Sequence, residues 1–132
     1  MFKETRHAAL LAKNKEEDAS VVSAQTALDA ATRGGAALLG TGAGVVAEGR
    51  PADLAVVDLG AAHLRPHHDL VSHAVYAANA GDVVHTVVDG NVLMEDRCVE
   101  TLDVDAVLAE AEETAKDLIE RAESDEGGEG GA

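Results

Sequence analysis

A turn that leads into a buried strand lies between Gly49 and Leu59, and it constrains the fold more than any other part of the sequence. Gly49 and Pro51 punctuate the backbone, and the following run Leu54 to Val57 is short, β-branched and too apolar for an exposed surface. Asp53 stands between them, where a carboxylate can close an Asx-type turn by accepting backbone N–H bonds. We therefore expect a tight turn that feeds a buried strand, with a structural role for Asp53.

Two segments before this strand have helical periodicity. Phe2 to Lys13 carries an apolar stripe that predicts a helix. Because no Ser, Thr, Asp or Asn precedes it as an N-cap, we expect the chain to begin in the middle of a larger structure. Ser23 fits the N-cap of a second helix over Ala24 to Thr32. Gly34-Gly35 is expected to stop or bend that helix before one more turn at 36–39, which Gly40 closes.

Three further strands are predicted. Val45 to Ala47 is a short apolar run that predicts a strand beside the Gly49 turn. Val83 to Val88 alternates between two faces, and Asn91 to Glu95 returns after Asp89-Gly90, a strong signal for a two-residue hairpin.

The most regular helical pattern lies near the end of the chain. Asp103 fits an N-cap, and apolar residues then recur at i, i+3, i+4 and i+7: Val104, Val107, Leu108, Ala111, Ala115, Leu118 and Ile119. The acids of this helix are expected to form its solvated face: Glu110, Glu112, Glu113 and Glu120. Residues 124–132 are acidic and Gly-rich, and we expect them to be disordered.

Composition limits the core and the partners. With 46% hydrophobic residues but one Phe, one Tyr and no Trp, the core must consist of Ala, Val and Leu, which is thin for a free-standing domain. The formal charge of −15 repels nucleic acid and anionic lipid, so neither is expected as a partner. The acid excess predicts a halophilic source, and the alternative is an ordinary acidic protein with an acidic tail. Because Cys98 is the single cysteine and no run reaches transmembrane length, we expect a cytoplasmic protein without a disulfide.

Three patterns could carry chemistry, and each has a simpler structural interpretation. Gly40 to Gly44 invites a phosphate-loop interpretation, but here a helix precedes and a strand follows, the reverse of a dinucleotide fingerprint, so a plain loop is favoured. The Ser72-His73 pair with Asp69 or Asp82 could form a triad, but nothing resembling a nucleophile elbow surrounds Ser72.

The third pattern is a histidine cluster within eleven residues: His63, His67, His68 and His73. A catalytic zinc needs about three converging ligands, and Pro66 disrupts the helix that would align His63 with His67. A polar loop at a domain or subunit boundary is favoured over a metal site. His7 is expected on a helix surface, and His85 on a strand face.

Five segments, in order, resemble the C-terminal end of the amidohydrolase superfamily, closest to its 5-methylthioadenosine/S-adenosylhomocysteine deaminases and their chlorohydrolase relatives. Met1 to Leu11 resembles the helix that follows the last metal-ligand strand. Ala27 to Gly40 resembles the A-L-x-x-A-T-x-G-G-A-x-A-L-G pattern of the next barrel helix. Val45 to Asp58 resembles the G-x-(I/L)-x-x-G-K-x-A-D-(L/I)-(V/A)-V-x-D segment that leaves the barrel, with Arg50 in place of the usual Lys.

The last two segments complete the resemblance, which extends to about Ala122. Pro66 to Ala77 resembles the P-x-H-D-x-x-S-H-x-V-Y-A stretch, and Val83 to Val92 resembles the V-x-x-V-x-V-x-G-x-x-V hairpin. The resemblance implies an α/β fold: the terminal helices of an incomplete (β/α)8 barrel over 1–42, then the C-terminal strands of its small β-sandwich over 43–102, with the hairpin at 83–95. A final helix over 103–123 and the tail at 124–132 follow.

The resemblance also implies what the parent enzyme does. Family members use an early His-x-His, two later histidines and an aspartate to hold a metal, zinc or iron, that activates a water for attack on a ring carbon bearing an amino or chloro group. This sequence contains none of those motifs, and the final aspartate would fall just before Met1. No catalytic or metal residue can therefore be assigned here, and the substrate-binding residues stay unknown.

We accordingly expect a C-terminal fragment of a metal-dependent deaminase or dechlorinase of purine-nucleoside-like or other heterocyclic substrates, inactive alone. Its apolar faces would need the missing barrel portion or a homo-oligomer partner to cover them. The alternative is a free-standing acidic module that folds as a dimer without catalysis. A third interpretation, a small metalloenzyme that uses the histidine cluster, would require stoichiometric metal.

Overall fold

The computed structural model describes the backbone of residues 1–126 and the side chains of residues 1–123. The chain forms two units, Met1–Cys98 and a second that begins at Val99. Among the described residues, we find no helix whose length and apolar content would let it cross a membrane.

The first helix, α1, spans Phe2–Glu16 and has no side-chain N-cap. It ends at Glu17, whose left-handed backbone (φ 52°) brings its N–H to the last carbonyls of the helix. The helix predicted over 2–13 is confirmed and extends three residues further.

The second helical segment begins at the predicted cap. The Ser23 hydroxyl accepts the Thr26 N–H at 3.0 Å, and α2 follows over Ala24–Asp29. Gly34 and Gly35 do not stop the helix. A π-helical turn (Ala30–Gly34) follows α2 and leads directly into α3 (Gly35–Leu39). The segment ends at Gly40, which takes a left-handed φ of 66° that glycine adopts without steric cost.

A four-stranded sheet has the strand order β1-β2-β3-β4. The strands are β1 (Leu54–Val57), β2 (Val83–Val88), β3 (Asn91–Glu95) and β4 (Cys98–Val99). β2 pairs antiparallel with both β1 and β3. Asp89 and Gly90 both have positive φ (48° and 79°), as a type I′ hairpin requires, so the predicted hairpin is confirmed.

The strand predicted at residues 45–47 is wrong. The segment is irregular, and Val46 is 87% exposed. A strand needs a neighbour for its backbone N–H and C=O groups, and none of the strands formed by residues 1–126 pairs with this run. An apolar, β-branched run alone is therefore not sufficient to form a strand.

The connection from β1 to β2 supplies much of the core. It contains a 3₁₀ turn (Ala62–Leu64), α4 (Leu70–Ser72), a π-helical turn (His73–Ala77) and a second 3₁₀ turn (Ala80–Asp82). Ala9, Ala27 and Val75 form the central cluster, and Leu64 and Val75 are the largest fully buried side chains. The core therefore consists of small aliphatic side chains, as the scarcity of aromatic residues predicts.

The second unit contains α5, Val104–Glu126. The Asp103 carboxylate accepts the Ala106 N–H at 3.0 Å, which confirms the predicted cap. The helix continues through residues 124–126, three residues past its predicted end. Residues 127–132 of the predicted tail lie outside the described part of the chain.

Candidate functional site

A polar network centred on Asp82 is the most organised group of titratable side chains in the first unit. Asp82 ends the second 3₁₀ turn, and its Oδ2 accepts from His63 Nε2 at 3.0 Å and from the Asn79 backbone N–H at 2.9 Å. The Asn79 side chain in turn accepts the Gly81 N–H at 2.9 Å, which completes a capping box. The Asp82 side chain is only 8% exposed, so these contacts replace its hydration.

These contacts keep Asp82 ionised. The hydrogen bond from His63 is the largest cause that lowers the pKa of the Asp82 carboxyl below its ordinary value. The Asn79 N–H and the charges of His63 and Arg97 act in the same direction, whereas burial opposes them. A buried carboxylate therefore holds a half-exposed imidazole in one orientation.

A second ion pair closes the end of β1 against the hairpin. The Arg97 guanidinium lies 3.5 Å from Asp58 Oδ2 and donates from Nε to the Gly81 carbonyl at 3.5 Å. The Asp58 N–H donates to the Asp82 carbonyl at 2.8 Å. The pKa of Asp58 is lowered first by the Gly60 N–H and then by Arg97. These contacts join the ends of two strands, which is a structural role.

The histidine cluster does not form a metal site. His67 Nε2 contacts the Leu59 carbonyl at 2.9 Å, and His73 contacts the carbonyls of Asp69 (2.7 Å) and Pro66 (3.1 Å). Among the described side chains, no three of His, Cys, Asp or Glu lie close enough to hold a metal ion. The described residues thus do not fit a catalytic metal ion, and no reaction step is assigned to a metal ion bound by this chain.

The Ser72-His73 pair is not arranged as a triad. The Ser72 hydroxyl donates to Asp69 Oδ2 at 3.1 Å, while both His73 ring nitrogens contact backbone carbonyls. Asp69 is the N-cap of α4, and the N–H and hydroxyl of Ser72 are the largest causes that lower its pKa. Asp82, the other proposed member, contacts His63 instead. Ser72 therefore lacks the base that would activate it.

Close packing explains the glycine at the end of the Gly40 to Gly44 loop. Gly44 has a φ of 84°, and a Cβ added there would lie 2.6 Å from the Thr32 carbonyl oxygen. The Arg50 guanidinium donates to the Gly42 carbonyl at 3.4 Å across the same loop. The loop thus packs directly against the helix backbone, which only a glycine at position 44 permits.

Asp53 has a different partner from the one predicted. Its Oδ1 accepts the Asp89 N–H at 2.7 Å, so the carboxylate contacts the β2–β3 hairpin rather than its own turn. Beside it, the Gly90 N–H donates to the Ala52 carbonyl at 3.2 Å. The turn that leads into β1 is therefore held by a residue 36 positions away in the sequence.

The remaining candidates make few contacts: His85 is half-buried on β2, and the others are exposed. His85 accepts the Asp96 N–H at its Nδ1 (3.2 Å), and His7 is exposed on α1. Cys98 is a free, exposed thiol. The four α5 acids named above are exposed as well.

Sequence reasoning missed the Asp82 network, although part of its signal was visible. Asn79-Ala80-Gly81-Asp82 has the N-cap and N3 spacing of a capping box. The contact with His63 had no such signal, because the two residues are 19 positions apart and meet only in the folded chain.

These contacts organise the strands and turns without assembling a reactive centre. Comparisons with known proteins identify the family to which the chain belongs. The sequence profile of the amidohydrolase family matches residues 1–93. The chain belongs to the amidohydrolase family. The resemblance read from its five segments is thereby confirmed.

This amidohydrolase chain is similar to enzymes of several specificities. It is 54% identical, over 122 residues that make up 92% of the chain, to a 5-methylthioadenosine/S-adenosylhomocysteine deaminase of Haloarcula marismortui. An adenosine deaminase structure from Xanthomonas campestris with bound zinc superposes with a TM-score of 0.82 at 38% identity over 86% of the chain. An atrazine chlorohydrolase structure from Arthrobacter aurescens, complexed with zinc, has a TM-score of 0.75 at 29% identity over 83% of the chain.

The amidohydrolase chain is much shorter than these proteins. It spans 28% of the length of the Haloarcula marismortui deaminase. It covers 26% of the Xanthomonas campestris chain and 25% of the Arthrobacter aurescens chain. The activities of these proteins therefore belong to polypeptides more than three times as long as this chain.

Proposed function

We propose that this chain is the C-terminal portion of a metal-dependent hydrolytic deaminase, and that the complete enzyme acts on a purine nucleoside of the 5′-methylthioadenosine or S-adenosylhomocysteine type. The observation that carries the proposal is the 54% identity across 92% of the chain to a deaminase named for those substrates. The reaction would replace the exocyclic amino group of the purine by oxygen from water and release ammonia. Dechlorination of another heterocycle is the alternative chemistry, since an atrazine chlorohydrolase is also similar.

The role proposed for this chain is structural. Because the described residues hold no cluster that fits a catalytic metal, the reacting groups would come from the remaining part of the enzyme. Zinc or iron is the metal expected there, and zinc is present in the similar adenosine deaminase structure. We expect this chain alone to be inactive.

Exposed apolar surface supports a missing neighbour. Leu38 and Leu39 at the end of α3 are 91% and 79% exposed, and Leu11 on α1 is 67% exposed. Such side chains stabilise a fold only when another element covers them. In the proposed architecture α1 to α3 are the last barrel helices, and the rest of the barrel covers these residues.

An apolar cleft and an open strand edge lie beside these helices. The cleft, about 460 Å³ in volume, lies between Phe2 and Leu28 on the helices and Leu54 and Val87 on the sheet. In the sheet formed by the described residues, β1 is an edge strand that pairs only with β2. β1 contains neither Lys nor Pro, and its second edge has no partner among the described strands, so it could accept another strand there. We propose that strands of a sandwich supplied by the rest of the enzyme complete this side.

The high acid content supports a halophilic source. The −15 charge gives a surface that stays hydrated in concentrated salt, and the similar deaminase comes from the haloarchaeon Haloarcula marismortui.

A chimera tests the proposal. The region of the Haloarcula marismortui deaminase that matches this chain would be replaced by residues 1–122, and ammonia release from 5′-methylthioadenosine would be measured with added zinc. The intact deaminase and a version lacking the region are the controls. We expect release from the intact enzyme and the chimera, and none from the shortened version or from this chain alone.

Two results would overturn the proposal. Ammonia release by the purified chain alone would place the reactive groups within these 132 residues. A chimera that has native circular dichroism and binds zinc stoichiometrically, yet releases no ammonia, would mean that this chain is not the matching portion of such a deaminase.

A further inference from the structure

The exposed apolar seam of α5 has the spacing of a coiled coil. Every described side chain from Val104 to residue 123 is exposed. The seam residues alternate by four and three positions: Val104, Leu108, Ala111, Ala115, Leu118 and Ala122. This 3.5-residue average places the seam on one side of the helix, flanked by Val107 and Ile119, which is the pattern that pairs with another helix of the same kind.

The seam is symmetric about Glu113. If a second α5 runs antiparallel and crosses at this residue, Leu108 lies level with Leu118 of the other copy, and Ala111 lies level with Ala115. Val104 is then level with Ala122. Leucines therefore meet on either side of the crossing point, and alanines meet next to it, where they let the two backbones approach closely.

The charges of α5 favour the same orientation. Residues 104–113 contain four acids and no Lys or Arg, whereas residues 114–123 contain three acids together with Lys116 and Arg121, for a charge of −1. In a parallel pair, the two N-terminal halves, each with a charge of −4, would lie side by side. In an antiparallel pair, each N-terminal half lies beside a C-terminal half with a charge of −1, so the repulsion is weaker. The opposed helix dipoles add to this preference.

We propose that α5 is a self-association surface, which pairs antiparallel with α5 of a second copy of this chain through the seam that runs from Val104 to Ala122. The inference stands on α5 alone and does not depend on the deaminase assignment. The same surface would hold together the dimer of the free-standing acidic module.

Salt should strengthen the pair. Both helices are net acidic, and the Debye length falls from about 10 Å at 0.1 M to about 3 Å at 1 M salt. Screening removes the residual repulsion, while burial of the seam is little affected by salt. The dimer dissociation constant should therefore fall as KCl rises from 0.1 M to 1 M or above.

A matched pair of variants tests the surface in the full chain. Ala111→Glu places a carboxylate in the seam, and Ala109→Glu makes the same chemical change on the outer face. By sedimentation equilibrium at 1 M KCl, we expect the wild type and Ala109→Glu to dimerise alike. We expect the dissociation constant of Ala111→Glu to be at least about tenfold higher, because the dimer would bury an unpaired charge.

Cysteine cross-linking tests the orientation, in a Cys98→Ala background. Leu108 and Leu118 of opposite copies are level in the antiparallel pair, but two Leu108 positions are about 15 Å apart along the axis at 1.5 Å per residue. Mixed Leu108→Cys and Leu118→Cys chains should form the heterodimeric disulfide, whereas Leu108→Cys alone should not cross-link.

Three outcomes would overturn the proposal. A wild-type chain that stays monomeric at 1 M KCl would mean that the seam does not pair. Equal loss of dimer in Ala111→Glu and Ala109→Glu, or no loss in either, would place self-association elsewhere. Efficient cross-linking of Leu108→Cys alone would show a parallel pair.

Discussion

Replacing Asp82 by Ala tests whether its polar network stabilises the first unit. The variant removes the acceptor of two hydrogen bonds, one from the Asn79 N–H and one from His63 Nε2. Both contacts hold together parts of the segment between β1 and β2, which supplies much of the core, so their loss should destabilise the whole unit. No catalytic role needs to be assumed.

The magnitude follows from the exposure of each partner. A hydrogen bond to a charged group contributes about 1.5–3 kcal/mol, and we take about 1.5 kcal/mol for the partly buried Asn79 N–H. The His63 side chain is 46% exposed and can be rehydrated, so we take about 1 kcal/mol for its bond. The sum of about 2.5 kcal/mol corresponds to roughly a 60-fold increase in the unfolding equilibrium constant.

Tyrosine fluorescence during urea denaturation measures this change. Tyr76 is the single tyrosine, there is no tryptophan, and its side chain packs against the central cluster of the first unit. Glu48→Ala, an exposed acid in the same unit, is the control and should change the free energy of unfolding by less than about 0.5 kcal/mol. Equal effects of Asp82→Ala and Glu48→Ala would refute the reasoning.

The pH dependence provides a second check. Because the folded pKa of Asp82 lies below its ordinary value of 3.8, the stabilisation is present above that value. It is lost as pH falls through the lower folded pKa. The difference between the wild type and Asp82→Ala should therefore shrink below pH 3.8, and a difference that grows there would contradict the assignment.

Three further substitutions, two of them with a matched control, test packing and turn geometry by the same assay. Val75→Ala should cost about 2 kcal/mol, because it leaves a cavity at a fully buried position, whereas Val46→Ala at an 87% exposed position should be near neutral. Gly44→Ala should destabilise more than Gly40→Ala: both have positive φ, but only the first would place a Cβ 2.6 Å from a carbonyl oxygen. Asp53→Ala should cost about 1 kcal/mol, through loss of the hairpin N–H bond. Equal values within either matched pair, or no change for Asp53→Ala, would contradict these assignments.

Features that depend on neighbours in sequence could be predicted. Ser23 and Asp103 cap their helices through N–H groups three residues ahead, and Gly40 ends α3 through its own backbone conformation. Asp89-Gly90 makes the hairpin turn because both residues tolerate positive φ. In each case the interacting groups lie within a few residues, so the local sequence already contains both partners.

Only the tertiary structure decided which distant groups meet. Asp53 contacts the amide of a residue 36 positions away, and Asp82 contacts an imidazole 19 positions away, so neither pair could be identified from periodicity. Residues 45–47 have the composition of a strand but no partner among the described strands, and they stay irregular. A hydrogen bond needs both of its groups in place, and for long-range pairs only the folded chain brings them together.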